Sequence, residues 1–201
     1  MSCFIRELDK TNPGGVNYMK ESLSTKEIIK DTLLNLLREQ NYSQIQMKKI
    51  AEKANVGRRT LYRYFQTKDD IVKYISDSLM DEFADALLEN DAIRLEETTK
   101  TYFSFWEKNI EIFHCLDNSH LLHHIEDHLA EYIMQVALKT KMKDIDMNLQ
   151  QILLKMSKQE LYGFYFTIAG YWELTKRWMR EENRDTPEEI SRLVLEILAE
   201  K

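Results

Sequence analysis

The chain has 201 residues, 43% of them hydrophobic, with five glycines, two prolines and a formal net charge of −6. That is enough apolar material for a substantial core, and so few chain breakers exclude a fibrous or low-complexity protein and favour helix nearly throughout. Cys3 and Cys115 lie far apart and form neither a disulfide framework nor a zinc set, nothing near the N-terminus resembles a secretory signal, and no apolar run approaches membrane-spanning length, so a cytoplasmic location without a membrane partner is expected.

The charge is unevenly spread. Residues 22–75 carry eleven Lys and Arg against six Asp and Glu, a net of +5, and residues 1–21 balance, which leaves −11 on residues 76–201. A basic head on an acidic body is the asymmetry expected of a DNA reader whose other part stays off the duplex.

In chain order, residues 1–22 are mixed in charge and broken by Asn12-Pro13-Gly14-Gly15, and are expected to form a flexible leader, with Met19 an alternative start. Ser24-Thr25-Lys26-Glu27 has the spacing of a capping box, and the helix it opens is expected to run to Glu39 with Ile28, Ile29, Thr32, Leu33, Leu36 and Leu37 as its buried stripe. Residues 45–70 then hold two short helical patterns about Asn55-Val56-Gly57. Met47, Ile50, Ala51 and Ala54 share one face of the first, and Leu61 and Phe65 one face of the second. Asn and Gly suit the tight corner between them. The second helix is crowded with Arg58, Arg59, Thr60, Tyr62, Arg63 and Tyr64. Apolar side chains hold such a pair together while cations and hydroxyls face outward, which is the chemistry of a helix-turn-helix on DNA.

These residues carry a resemblance. Ile50-Ala51, Ala54, Val56, then Thr60-Leu61-Tyr62-Arg63-Tyr64-Phe65 and Lys68-Asp69-Asp70 look like the signature of the TetR family of bacterial transcriptional regulators. Three positions depart from it: Asn55 stands where the family usually has Gly, Gly57 where it has Ser or Thr, and Gln46 where it has Thr. The cationic fork of Arg suits guanine, so Arg58, Arg59 and Arg63, with Lys48, are expected at base edges. By resemblance Thr60, Tyr62, Tyr64 and Lys68 hold phosphates, and Gln46 adds a further phosphate contact.

Thr67-Lys68-Asp69-Asp70 is a second start signal, opening a long helix through Ile71, Ile75, Leu79, Phe83 and Leu87. Further helical patterns cover about residues 92–108, 110–116, 120–140, 144–156 and 158–182, and Thr186-Pro187-Glu188-Glu189 announces the last. The fold class is therefore all-α: a flexible leader over residues 1–22, a three-helix DNA-binding domain over 23–68, and a larger helical ligand-binding and dimerisation domain over 69–201.

In the body, His114, His120, His123, His124 and His128 lie within sixteen residues of one another, some at metal-binding helical spacing, although surface or pocket histidines share that pattern. Aromatic and methionine positions, among them Tyr102, Phe105, Phe113, Tyr132, Met134, Met142 and Met147, read first as core. The family encloses an inducer pocket in this region, and Phe103, Trp106, His124 and Tyr162 are the residues expected to line it. Leu161, Tyr165, Ile168 and Trp172, with Leu193 and Ile197, are expected at the dimer interface that the resemblance places on the last two helices. Gly163 and Gly170 suggest that another backbone comes close there.

The resemblance implies a ligand-responsive regulator, most often a repressor. A homodimer blocks a palindromic operator until a small-molecule effector tilts the helix from Asp69 and releases the DNA. The partners are operator DNA, an effector and a second copy of the chain, and no cofactor is implied. Two alternatives share the fold: a co-regulator acting through a protein partner, and a metal-responsive regulator using the histidines. No nucleophile triad, phosphate loop or His-Glu-Xaa-Xaa-His motif supports an enzyme.

Overall fold

A computed structural model of the chain describes residues 13–89, 94–141 and 156–199, and among these every regular element is helical. The first helix, α1, spans Pro13–Glu39. A proline is well placed at a helix start, where its missing N–H has no intrahelical partner to lose. The helix therefore opens ahead of the expected capping box, Ser24 lies inside it, and Glu27 pairs with Lys30 one turn on. Of the expected leader, residues 1–12 lie outside the described residues and 13–22 are helical. Ile29, Leu33, Leu36 and Leu37 are buried as expected and Leu34 joins them, whereas Ile28 is 46% exposed.

A 3-10 turn over Tyr42–Gln44 leads into α2, Met47–Lys53, and α3, Arg58–Tyr64. α1 packs on α2 and α2 on α3. Ile45, Ile50, Ala51, Ala54, Leu61 and Phe65 are the apolar residues buried around these two short helices. Next comes α4, Lys68–Glu89. Thr67 caps it: its hydroxyl accepts the Asp70 amide at 3.1 Å, and the Asp70 carboxylate accepts the amides of Gln66 and Thr67 at 2.9 and 2.8 Å. That is the reciprocal arrangement of a capping box, with Asp in the third position.

The chain divides into two compact units after Ile71, within α4. In the larger unit α5 spans Leu95–Lys108, α6 Ile110–Asn118 and α7 His123–Lys141, and after the undescribed 142–155 come α8, Lys158–Arg180, and α9, Pro187–Ala199. The helix expected over 144–156, with Met142 and Met147, lies outside the described residues. α9 packs on α5, while α8 meets α5, α6 and α7. Both late helices start on a reciprocal cap. In α8 Ser157 and Glu160 form it, and before α9 the Thr186 amide donates to Glu189 at 2.8 Å while the Glu189 amide returns to the Thr186 hydroxyl at 3.3 Å.

This unit has an aromatic interior. Trp106 sits 5.3 Å from Trp172 and 6.1 Å from Phe113 by ring centroid, and Phe103 packs edge-on to Trp178 at 5.4 Å. Tilted and edge-on contacts match the positive rim of one ring to the negative face of the next. Hydroxyls are satisfied within it, Thr175 donating to Tyr102 at 2.9 Å and Thr99 lying 2.7 Å from the Tyr171 hydroxyl. Two arginine clamps close the end of α8: Arg180 donates twice to Asp117, both at 2.7 Å, and Arg184 twice to Glu107, at 3.0 and 2.8 Å.

Candidate nucleic-acid interface

The corner between α2 and α3 is built on Asn55, whose φ of 52° is left-handed. Its amide donates to the Glu52 carbonyl at 3.2 Å and the Val56 amide to the Ala51 carbonyl at 3.0 Å. Those paired bonds satisfy the last carbonyls of α2 as a Schellman motif does, and Asn is the residue after Gly best suited to that conformation. Gly57, with extended φ of −63° and ψ of 142°, then opens α3 without a side-chain cap, and its carbonyl accepts the Leu61 amide at 3.0 Å.

Leu61 and Phe65 point inward from α3, and this turns Arg58, Arg59, Tyr62 and Arg63 to solvent. Tyr62 is 43% exposed. Arg63 donates to the Tyr64 hydroxyl at 2.9 Å and its guanidinium lies 4.8 Å from that ring's centre, so these neighbours form one preorganised unit. Thr60 and Tyr64 are half-buried. On α2, Lys48 is exposed and only loosely paired with Glu52, at 3.8 Å. Gln46 precedes α2 with an exposed side chain that makes no cap bond. These residues together give one small unit an outward array of guanidinium, ammonium, hydroxyl and amide donors.

Lys68, expected at a phosphate, is turned into the protein instead. Its ammonium donates to the carbonyls of Tyr42 at 2.6 Å and Ile45 at 3.2 Å, and it stands 4.1 Å over the Tyr42 ring. The Tyr42 hydroxyl in turn donates to Asp69 at 2.5 Å. Burial, and then the Asp69 carboxylate accepting its proton, hold the Tyr42 phenol above its ordinary range. Lys49 is likewise engaged inward, donating to Gln40 at 2.5 Å. The partners of Tyr42, Asp69 and Gln40 are nine to twenty-seven residues away in the chain, which spacing along one helix does not reveal.

Residues 23–75 match the model of the bacterial regulatory proteins of the tetR family. Over these residues the chain is similar to the TetR family. Among curated relatives of the chain, the HTH-type transcriptional regulator YxbF of Bacillus subtilis is 27% identical over 181 residues, 86% of this chain and 44% of YxbF. The dhaKLM operon transcriptional activator DhaS of Lactococcus lactis is 25% identical over 105 residues, 52% of this chain and 50% of DhaS. The chain thus spans about half the length of these relatives or less. Among solved structures, a TetR transcriptional regulator from Streptococcus agalactiae superimposes with a TM-score of 0.61 at 18% identity, over 92% of this chain and 98% of that one. A structure of the dihydroxyacetone kinase operon activator DhaS gives 0.54 at 17% identity, over 87% and 94% of the two chains. At these identities the likeness speaks for the fold, an N-terminal helix-turn-helix followed by a larger helical part.

The structure distributes the residues expected at the other sites unevenly. On α8 Tyr165 is 48% exposed and on α9 Leu193 and Ile197 are 46% and 59% exposed, while Leu161 and Ile168 are half-buried. Tyr162 and Phe166, at 67% and 71%, extend the α8 face. Trp172 does not belong to it: only 2% exposed, it packs on Trp106 and Phe113, because the half of α8 beyond Gly170 turns its apolar side to α5 and α6. A Cβ added at Gly163 or Gly170 would meet nothing within 4 Å, so no described backbone approaches either glycine.

Phe103, Trp106, His124 and Tyr162 are not gathered into one cavity. The first two are fully buried in the aromatic core, His124 is half-buried on α7 and Tyr162 is two-thirds exposed. Of the histidines, His123 and His124 lie 4.3 Å apart by ring centre, and His123 Nδ1 is 3.2 Å from the His120 carbonyl. His120, with φ of 58°, ends α6 in a second Schellman motif, its amide donating to Asp117 and that of Leu121 to Leu116, so the helix expected from residue 120 starts at His123. Among the described residues no three His, Cys, Asp or Glu side chains are placed to hold a metal ion, and no helix is long and apolar enough to cross a membrane.

Proposed function

We propose that the protein is a cytoplasmic DNA-binding transcriptional regulator that reads a palindromic operator through α3 as a homodimer, represses by occupying it, and releases it when a small molecule binds the larger unit. The observation that carries the reading is the face of α3: Arg58, Arg59, Tyr62 and Arg63 stand exposed on a helix whose other side is locked by Leu61 and Phe65. Arginines offer paired donors to guanine and point charges to phosphate, and a helix of seven residues reads too few bases alone, which calls for a second copy. The apolar exposure of Tyr162, Tyr165, Phe166, Leu193 and Ile197 supports a two-helix surface for that copy. Effector release rests on the family resemblance, and no residue is assigned to the effector.

The test is selection of duplexes from a random pool by the full chain, followed by binding of the retained sequence at graded salt and by sedimentation. Enrichment of a two-fold symmetric site bound by two chains is expected. A monomer, or a protein that retains no duplex at low ionic strength, overturns the reading. A second reading, activation in place of repression, is favoured by the activator role named for DhaS, and transcription from a template bearing the selected site separates the two.

A further inference from the structure

The first turn of α4 is a junction. Lys68 reaches to the Tyr42 and Ile45 carbonyls and covers the Tyr42 ring, and the adjacent Asp69 takes the hydroxyl of the same tyrosine. Two consecutive side chains thus grip one residue at its backbone, its ring and its tip. The next residue, Asp70, accepts the amides of Gln66 and Thr67 at 2.9 and 2.8 Å, just beyond α3, and the Gln66 side chain donates to the Tyr62 carbonyl within it at 2.6 Å. The segment before α2 and the exit from α3 are therefore tied to the same turn, and the helix-turn-helix is held at both ends.

An ammonium has three donors. Two of those on Lys68 are spent on carbonyls, and the charge faces the tyrosine ring. Turning it out to a DNA phosphate would leave the Tyr42 and Ile45 carbonyls without that donor and remove the cation from the ring. We propose that Lys68, with Tyr42 and Asp69, is a positioning residue for DNA binding and not a phosphate ligand: the three side chains fix where α3 presents Arg58, Arg59 and Arg63. The proposal rests on the DNA-binding reading above and adds to it a set of residues that touch no DNA.

Counterion release separates the two roles, since each phosphate neutralised on B-DNA contributes about 0.9 to the slope of log K against log salt. The full chain and the variants Lys68→Met and Tyr42→Phe are titrated with the selected duplex and with a random-sequence duplex over a range of salt, and their amide exchange is followed. Each variant is expected to bind the selected duplex about three- to tenfold more weakly. The slope on either duplex stays at the wild-type value, and the amides of residues 42–46 exchange faster. A slope reduced by about 0.9 in Lys68→Met overturns the proposal, as does Tyr42→Phe binding like wild type. If Lys68→Met does not fold, Tyr42→Phe decides alone, because loss of one hydroxyl leaves any phosphate contact of Lys68 in place. Failure of the wild-type chain to bind either duplex defeats the DNA-binding reading itself and is distinguishable from both results.

Discussion

The two units are filled and faced in opposite ways. The smaller one packs aliphatic side chains, Ile29, Leu33, Leu36, Ile50 and Leu61, and sends Lys48, Arg58, Arg59 and Arg63 outward on two helices of seven residues. The larger one packs rings, Trp106 among Trp172, Phe113 and Phe105, and exposes Tyr162, Tyr165 and Phe166 on α8 and Leu193 and Ile197 on α9. In the head Arg58, Arg59, Tyr62 and Arg63 are local neighbours exposed on one short helix, so spacing alone brings them together. In the body what matters is which helix meets which, and spacing along one helix cannot supply that.

The contrast is sharpened most by emptying the larger core. Trp106→Ala removes a fully buried indole from the centre of the ring cluster and is expected to cost about 3–5 kcal/mol. Chemical denaturation measures it, and a loss below about 1 kcal/mol would mean the rings do not form one tightly packed interior. Next is the outward face of the head. Arg63→Ala is expected to cost about 1–3 kcal/mol on the selected duplex if the guanidinium reads a base. An equal loss on random duplex would assign Arg63 to phosphate, and the Tyr64 bond makes Tyr64→Phe the companion variant.

The corner comes third. Asn55→Val forces a branched side chain into a left-handed residue and is expected to destabilise by about 1–2 kcal/mol, whereas Asn55→Gly keeps stability close to wild type. Thermal unfolding compares the two, and equal losses would place the role of Asn55 in its side chain instead of its backbone.

The smallest effect is at the Asp117 clamp. The Arg180 guanidinium bonded to it holds the Asp117 carboxyl below the usual aspartate value, against an opposing effect of burial. The stabilisation is therefore complete above the unfolded aspartate value near about 4 and is lost as pH falls through the lower folded value. Arg180 is 52% exposed, so Arg180→Ala is expected to cost only about 0.5–1 kcal/mol near neutral pH. That gap should close in strong acid, as denaturation across pH will report.

Much of the fold was legible because it is written in short intervals. Thr67 with Asp70 and Thr186 with Glu189 cap where three-residue spacing placed them, and Ile71, Ile75, Leu79, Phe83 and Leu87 are all buried. Ser157-Lys158-Gln159-Glu160 has the same three-residue spacing and caps the start of α8. The early opening of α1 at Pro13 hid behind a turn-like Asn-Pro-Gly-Gly run. Trp172 lies inside and Lys68 lies inward because a partner distant in sequence, Trp106 or Tyr42, claims each side chain. Periodicity ranks the faces of a helix but cannot say which of two apolar flanks finds a neighbour first.

All three tryptophans of the chain, Trp106, Trp172 and Trp178, lie in the larger unit, each at most 2% exposed. Their ultraviolet emission is thus a reporter confined to that unit, blue-shifted while water is kept from the indoles and dim to events around α3. Melting of the helix-turn-helix alone would leave the signal nearly unchanged, and the tyrosines at 42, 62 and 64 supply the complementary channel.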